Sequence, residues 1–103
     1  MSYIGKLGFV IMSNLFLLQS SFATTAQAIT KLKALYHPND QVVLMGDAAQ
    51  FSKDPFIQQL KHVYILQTDV DLLMNLNTKH IQVIEYNTFA DLCLQHARCI
   101  TFK

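Results

Sequence analysis

Apolar residues along the chain fall into short runs separated by stretches with helical spacing. The runs Gln41–Met45 (QVVLM) and His62–Leu66 (HVYIL) are nearly continuous, which marks strands covered on both faces. Asn14–Ser20 (NLFLLQS) predicts a buried first strand and His80–Glu85 (HIQVIE) a fourth. Cys99–Phe102 (CITF) alternates as an edge strand does. Between them, Ala26, Ile29, Leu32, Lys33 and Tyr36 recur at three- and four-residue steps and predict a helix over Thr24–Tyr36. Thr24 or Thr25 is its expected cap, and His37-Pro38 ends it before an Asn39-Asp40 turn. Gly46-Asp47 closes the second strand, and Ala48–Ser52 reads as a short helix. Asp54-Pro55 opens another over Pro55–Leu60, with Pro at its favoured first position. Thr68 and Asp69 are expected to cap a helix through Met74, ahead of a polar turn at Asn75–Lys79. The last helix, Asn87–His96, places Phe89, Leu92 and Cys93 on one face. The order β-α-β-α-β-α-β-α-β predicts one three-layer α/β/α domain, a mainly parallel five-stranded sheet with helices on both faces.

The first 23 residues carry two readings. Lys6, the apolar run Leu7–Leu18 and the small residues Ser20, Ser21 and Ala23 resemble a signal peptide, with cleavage after Ala23 or Ala28 and a secreted domain as the result. The run is too short and too interrupted to span a membrane. We favour the strand reading, because the helix that follows needs a preceding strand to complete the sheet. Residues 1–11 are then an N-terminal extension, with Met12 as an alternative start, and 12–103 the domain.

A chain of 103 residues has room for one core. With 51% hydrophobic and only 15% charged residues, some apolar surface must lie outside, which points to oligomerisation. Seven of the eight basic residues are lysines scattered from Lys6 to Lys103, Arg98 being the exception, and the net charge is +1. Without a basic patch, direct nucleic-acid binding by this chain alone is not expected. The two cysteines, Cys93 and Cys99, are too few for a disulfide scaffold and too far apart for a C-x-x-C motif, which suits a reducing cytoplasm.

No cofactor is expected. The glycines, Gly5, Gly8 and Gly46, make neither a phosphate loop nor a Gly-x-Ser-x-Gly elbow. His37, His62, His80 and His96 are never three or four residues apart, so no helix presents a metal-ligand pair. Asp47 occupies the best local position for a ligand, the C-terminal end of a buried strand, although a helix cap explains it too. Cys93 lies near the C-terminal end of its helix, where the dipole disfavours a thiolate, and reads as packing. Cys99 beside Arg98 is the weaker case for packing. No complete catalytic set emerges.

The segment Gln82-Val83-Ile84-Glu85-Tyr86-Asn87-Thr88-Phe89-Ala90-Asp91-Leu92, with His96 and Phe102, resembles the TusB/DsrH family of sulfur-relay subunits. Val63-Tyr64-Ile65-Leu66 with Asp69 and Leu72, and Val42–Asp47, are similar to its third and second strands. Glu85 stands where that family usually has Asp, Phe102 where it usually has Trp, and Ala48 where a Gly is common. The resemblance implies a DsrE-like fold and a cytoplasmic heterohexamer with two related DsrE-like subunits, serving a persulfide donor and acceptor. It implies transfer towards 2-thiouridine at the tRNA wobble position or, in sulfur oxidisers, through the dissimilatory pathway. It further implies that the nucleophilic cysteine belongs mainly to a sister subunit, and makes Asp47, Tyr64, Glu85, Tyr86, Phe89, His96 and Phe102 structural or interface candidates. The alternatives are a catalytic sulfur carrier using Cys99 or Cys93, the secreted domain, and a homo-oligomer when partners are absent.

Overall fold

Residues 11–70 and 81–103 are described in a computed structural model of the chain. Five strands carry the fold: β1 (Ile11–Leu18), β2 (Gln41–Leu44), β3 (Val63–Leu66), β4 (Ile81–Ile84) and β5 (His96–Phe102). They form one sheet in the order β4-β3-β2-β1-β5, and every pairing is parallel. The helices are α1 (Phe22–Leu35), α2 (Pro55–Gln59), α3 (Gln67–Val70) and α4 (Tyr86–Gln95), with a 3₁₀ segment at Gly46–Phe51. The three-layer α/β/α architecture is the one the apolar runs predict. Residues 1–10 of the proposed 1–11 extension, the helix end from Asp71 to Met74, the turn at Asn75–Lys79 and His80 lie outside the described residues, while Ile11, the last residue of that extension, begins β1.

Side chains alternate across each strand, so the two faces of the sheet have separate cores. Phe16, Leu18, Val42, Leu44, Val63, Ile65 and Ile81 pack against α1, the 3₁₀ segment and α2. Leu15, Val43, Leu66 and Ile84 face the other way, and among the described residues the one helix packed on them is α4, through Leu92, Phe89 and Cys93. Leu17, Met45 and Tyr64 on that second face stay half-buried.

Several boundaries shift from expectation for local reasons. β1 ends at Leu18, because Ser20 is turned inward to share a 2.8 Å hydrogen bond with the Thr25 hydroxyl. Thr24 and Thr25 are inside α1 instead of capping it, and both hydroxyls donate back to the Ser21 carbonyl, Thr25 at 2.7 Å. Ser21 is the N-cap residue. The buried stripe of α1 is therefore Thr25, Ala28, Ile29 and Leu32, rotated from the expected one, with Ala26 and Lys33 left exposed. Lys33 lays its ammonium 5.7 Å from the centre of the Phe56 ring. β5 begins at His96, three residues earlier than the alternation CITF suggests, and it is the edge strand that pattern predicts. Asp54 caps α2 as read, accepting from the Phe56 N–H at 2.9 Å with Pro55 at the first position.

A line of aromatic rings crosses the first core. Phe102 stacks on Phe16 at 6.1 Å, Phe16 meets Tyr36 at 6.5 Å, and Tyr36 meets Phe56 edge-on at 5.9 Å. Each such contact adds roughly 0.5–1.5 kcal/mol beyond simple burial. Together they join the edge strand β5 to β1, the end of α1 and α2.

The polar anchor of the sheet is Asp40, which is only 2% exposed. Its carboxylate accepts the Asn14 N–H and the His37 N–H, both at 2.8 Å. In the β1–β2 ladder Leu15 faces Gln41, so Asn14 comes level with Asp40 just before β2 begins. The side chain takes the place of the missing strand carbonyl, beside the register shift that β1 makes against β5 between Ile11 and Asn14. Replacing it leaves two backbone donors without their partner. Asp40→Ala is expected to cost about 3 kcal/mol, from the usual worth of hydrogen bonds to a charged acceptor, read as a lowered urea midpoint. Asp40→Asn, which keeps one acceptor, is expected to lose less.

Candidate functional site

The residues singled out by sequence divide between two regions of the fold. Six of them lie on or around α4: Glu85, Tyr86, Phe89, Cys93, His96 and Cys99. Tyr64 and Phe102 lie elsewhere on the sheet, and Asp47 in the 3₁₀ segment after β2.

Helix α4 has a large aromatic side chain on its outer side. Leu92, Phe89 and Cys93 turn towards the sheet, and Tyr86, Ala90 and Leu94, each four residues on from the last, form a second stripe in solvent. Tyr86 is 71% exposed and Leu94 80%. Tyr86 also stacks edge-on against Phe89 at 5.7 Å, so the outer stripe runs into the half-buried inner one. The polar residues Asn87, Asp91 and Gln95 occupy the rest of the surface.

Glu85 precedes this helix in an extended conformation and makes no side-chain cap bond. An N-cap is best filled by a short side chain whose oxygen reaches the N–H groups of the first turn, and Glu is one methylene too long. The far end of α4 is better served. The last carbonyls of a helix lack partners within it, and here β5 supplies two side chains. His96, 5% exposed, brings Nδ1 to 2.8 Å from the Leu92 carbonyl, and the Cys99 thiol donates to the Cys93 carbonyl at 3.6 Å. His96 Nε2 is buried with no partner among the described residues.

Cys99 is exposed and Cys93 half-buried. Cys99 pairs with Leu15 in the ladder, which puts it on the α4 side of the sheet, next to Cys93. Burial foremost, then the charge and the hydrogen bond of Cys99, push the Cys93 thiol up from its ordinary 9.0 to about 11. Arg98 does not assist Cys99 as its place in the sequence suggests, because successive strand residues point to opposite faces. It lines an open groove of about 620 Å³ with Ser13, Asn14, His37 and Asp40, at the N-terminal ends of the strands. Ligands of open α/β sheets sit at the opposite, carboxyl end.

Asp47 is at that carboxyl end, exposed in the first turn of the 3₁₀ segment. The carboxylate that closes the end of β2 is instead Asp69, whose Oδ2 accepts the Gly46 N–H at 3.0 Å. Gly46 has a φ of 58°, the left-handed conformation that glycine adopts without strain. Asp69 does not cap its own helix as the sequence suggests, but lies within α3 and reaches across to Gly46 just after β2. Tyr64 donates its hydroxyl to Gln41 Oε1 at 3.2 Å, and burial raises its pKa. Phe102 is structural through its stack on Phe16. Among the described residues no helix is long and apolar enough to cross a membrane, and no cluster of three or more His, Cys, Asp or Glu side chains is placed to hold a metal.

A family model described as DsrH like protein matches residues 19–99. The chain belongs to the DsrH-like family. That membership makes it a subunit of the sulfur-relay kind, on a DsrE-like fold. No curated protein matches it.

Two outcomes follow from this region. Glu85→Asp is expected to add about 0.5–1 kcal/mol of stability by supplying the missing cap, seen as a higher urea midpoint. The raised Cys93 thiol binds its proton more tightly in the folded chain, so its contribution to stability is full below about pH 9 and is lost as the pH rises through about 11. Urea midpoints measured across that window are expected to fall less steeply for Cys93→Ala than for the wild type.

Proposed function

We propose that this chain is an accessory subunit of a cytoplasmic sulfurtransferase complex, in which α4 docks against two related DsrE-like subunits. The observation that carries this reading is the exposed stripe Tyr86-Ala90-Leu94, on the helix that covers Leu15, Val43, Leu66 and Ile84. Exposed aromatic and aliphatic side chains that continue a half-buried apolar surface are what a protein interface requires at its centre. The assembly's chemistry is the transfer of persulfide sulfur from a donor to an acceptor protein, towards 2-thiolation of the tRNA wobble uridine. The scattered lysines support a role in which this chain does not itself grip the RNA.

Co-expression with the DsrE-like chains of the same cell is the test, with the complex isolated by size. Tyr86→Arg and Leu94→Asp are each expected to weaken association at least about tenfold, as a central contact worth 1.4 kcal/mol or more would. The urea midpoint of Leu94→Asp is expected to stay near that of the wild type, since the side chain is in solvent, and that of Tyr86→Arg to fall by no more than the lost ring contact with Phe89, roughly 0.5–1.5 kcal/mol. A chain that ignores DsrE-like partners, or variants that still assemble with wild-type affinity, overturns the reading. For the thiolation step, loss of 2-thiouridine on deleting the gene supports it, and an unchanged tRNA overturns that part alone.

A further inference from the structure

Cys93 and Cys99 are six residues apart, on two elements that meet end to end, and the Cys99 thiol donates to the Cys93 carbonyl at 3.6 Å, which holds its sulfur beside the residue that carries the second thiol. One thiol is open to solvent and the other is half-buried beside it. That is the arrangement of an acceptor and a resolver: a reagent from solution reaches the first, and only the neighbouring thiol reaches the adduct.

We propose that Cys99 accepts sulfur from a low-molecular-weight disulfide or persulfide and that Cys93 then displaces the adduct, closing an internal disulfide between α4 and β5. With glutathione disulfide, the Cys99 thiolate attacks one sulfur, a Cys99–glutathione bond forms, and the S–S bond of the reagent breaks. The departing thiolate takes up the proton that Cys99 released. The Cys93 thiolate then attacks Cys99 Sγ, the Cys93–Cys99 bond forms, and a second glutathione leaves with the proton from Cys93. The two protein thiols are oxidised and one reagent disulfide is reduced to two thiols. With a glutathione persulfide donor the first step leaves an extra sulfur on Cys99, and attack by Cys93 on the inner sulfur expels it as hydrogen sulfide. The products are then one glutathione, one hydrogen sulfide and the same internal disulfide.

The environment fixes which step is slow. Only the thiolate attacks, and Cys93 is mostly protonated at neutral pH because burial, first among its causes, keeps its pKa high. Closure is therefore expected to quicken about tenfold for each pH unit between pH 7 and 9, following the thiolate fraction. The inference goes beyond the assembly role and uses the chain by itself, so loss of partner binding and loss of this chemistry are read in separate experiments.

The test takes the reduced full-length chain, adds glutathione disulfide, traps free thiols with an alkylating agent at intervals and reads the intact mass. The wild type is expected to lose two hydrogens, retain no glutathione and take up no alkylating agent. Cys93→Ser, and Cys93→Ala as a second variant should the first fold poorly, are expected to hold one glutathione stably. Cys99→Ser is expected to form neither adduct nor bridge at the rate of the wild type. In the parallel arm, glutathione persulfide is the probe and sulfide is measured, with release expected from the wild type and not from Cys93→Ser. Closure in either arm supports the pair and tells the two sources apart. A wild type that keeps its glutathione and its Cys99 persulfide as long as Cys93→Ser does, or whose Cys99 reacts with neither probe, overturns it.

Discussion

A parallel sheet of apolar strands has to be covered on both faces, and this chain meets that demand unequally. Three connections, β1 to β2, β2 to β3 and β3 to β4, move steadily in one direction across the sheet. The helical elements of the first two cover the same face and build the larger core. Among the described residues, the return from β4 to β5 is the connection that crosses the other face, and its helix, α4, covers Leu15, Val43, Leu66 and Ile84 while Leu17, Met45 and Tyr64 are half-buried. The position of the two cysteines and of the exposed stripe follows from this one crossover. It places the stripe and Cys93 on the same helix and Cys99 on the strand that follows, so the proposed docking stripe and the two thiols occupy adjoining elements.

The polar contacts support that plan at the points where backbone groups run out of partners. Asp40 serves β1 just before β2 begins, Asp69 serves Gly46 where β2 ends, and His96 and Cys99 serve the last carbonyls of α4. In each case the donor or acceptor comes from a different element, so these side chains fasten one element to the next as well as satisfying hydrogen bonds. The helix–strand junction at Gln95 and His96 thereby closes without a glycine in the left-handed conformation.

Much of the fold is legible in the sequence because period and burial agree there. QVVLM and HVYIL have no polar side to show, so only a strand between two layers accommodates them, and Asp54-Pro55 signals a helix start through chemistry confined to three residues. The buried aspartate is not legible. Asn39-Asp40 carries the composition of an ordinary turn, and what makes Asp40 structural is a backbone N–H at Asn14, far away along the chain. Thr25 misleads for a related reason, since a hydroxyl that suits a cap suits a buried bond to Ser20 equally well. At the candidate site, the inner face of α4 is readable from Phe89, Leu92 and Cys93. The outer stripe is not, because Tyr86 and Leu94 sit at spacings that a core helix also uses. The contact between Cys93 and Cys99 depends on the helix ending at Gln95 and the chain entering β5 at once, which a boundary drawn three residues late conceals.

The strand order also governs how the molecule comes into being. β1 is flanked by β2 on one side and by β5 on the other, with Asn14 opposite Arg98. On a growing polypeptide, β1 therefore emerges among the first described elements and keeps one edge bare until the last of them has been made. An apolar strand with an unpaired edge is a template for pairing with other chains, and a sheet whose last pairing, β1 with β5, is so distant in sequence closes slowly. The interval between the synthesis of β1 and the arrival of β5 is the period in which this protein most needs shelter from its neighbours.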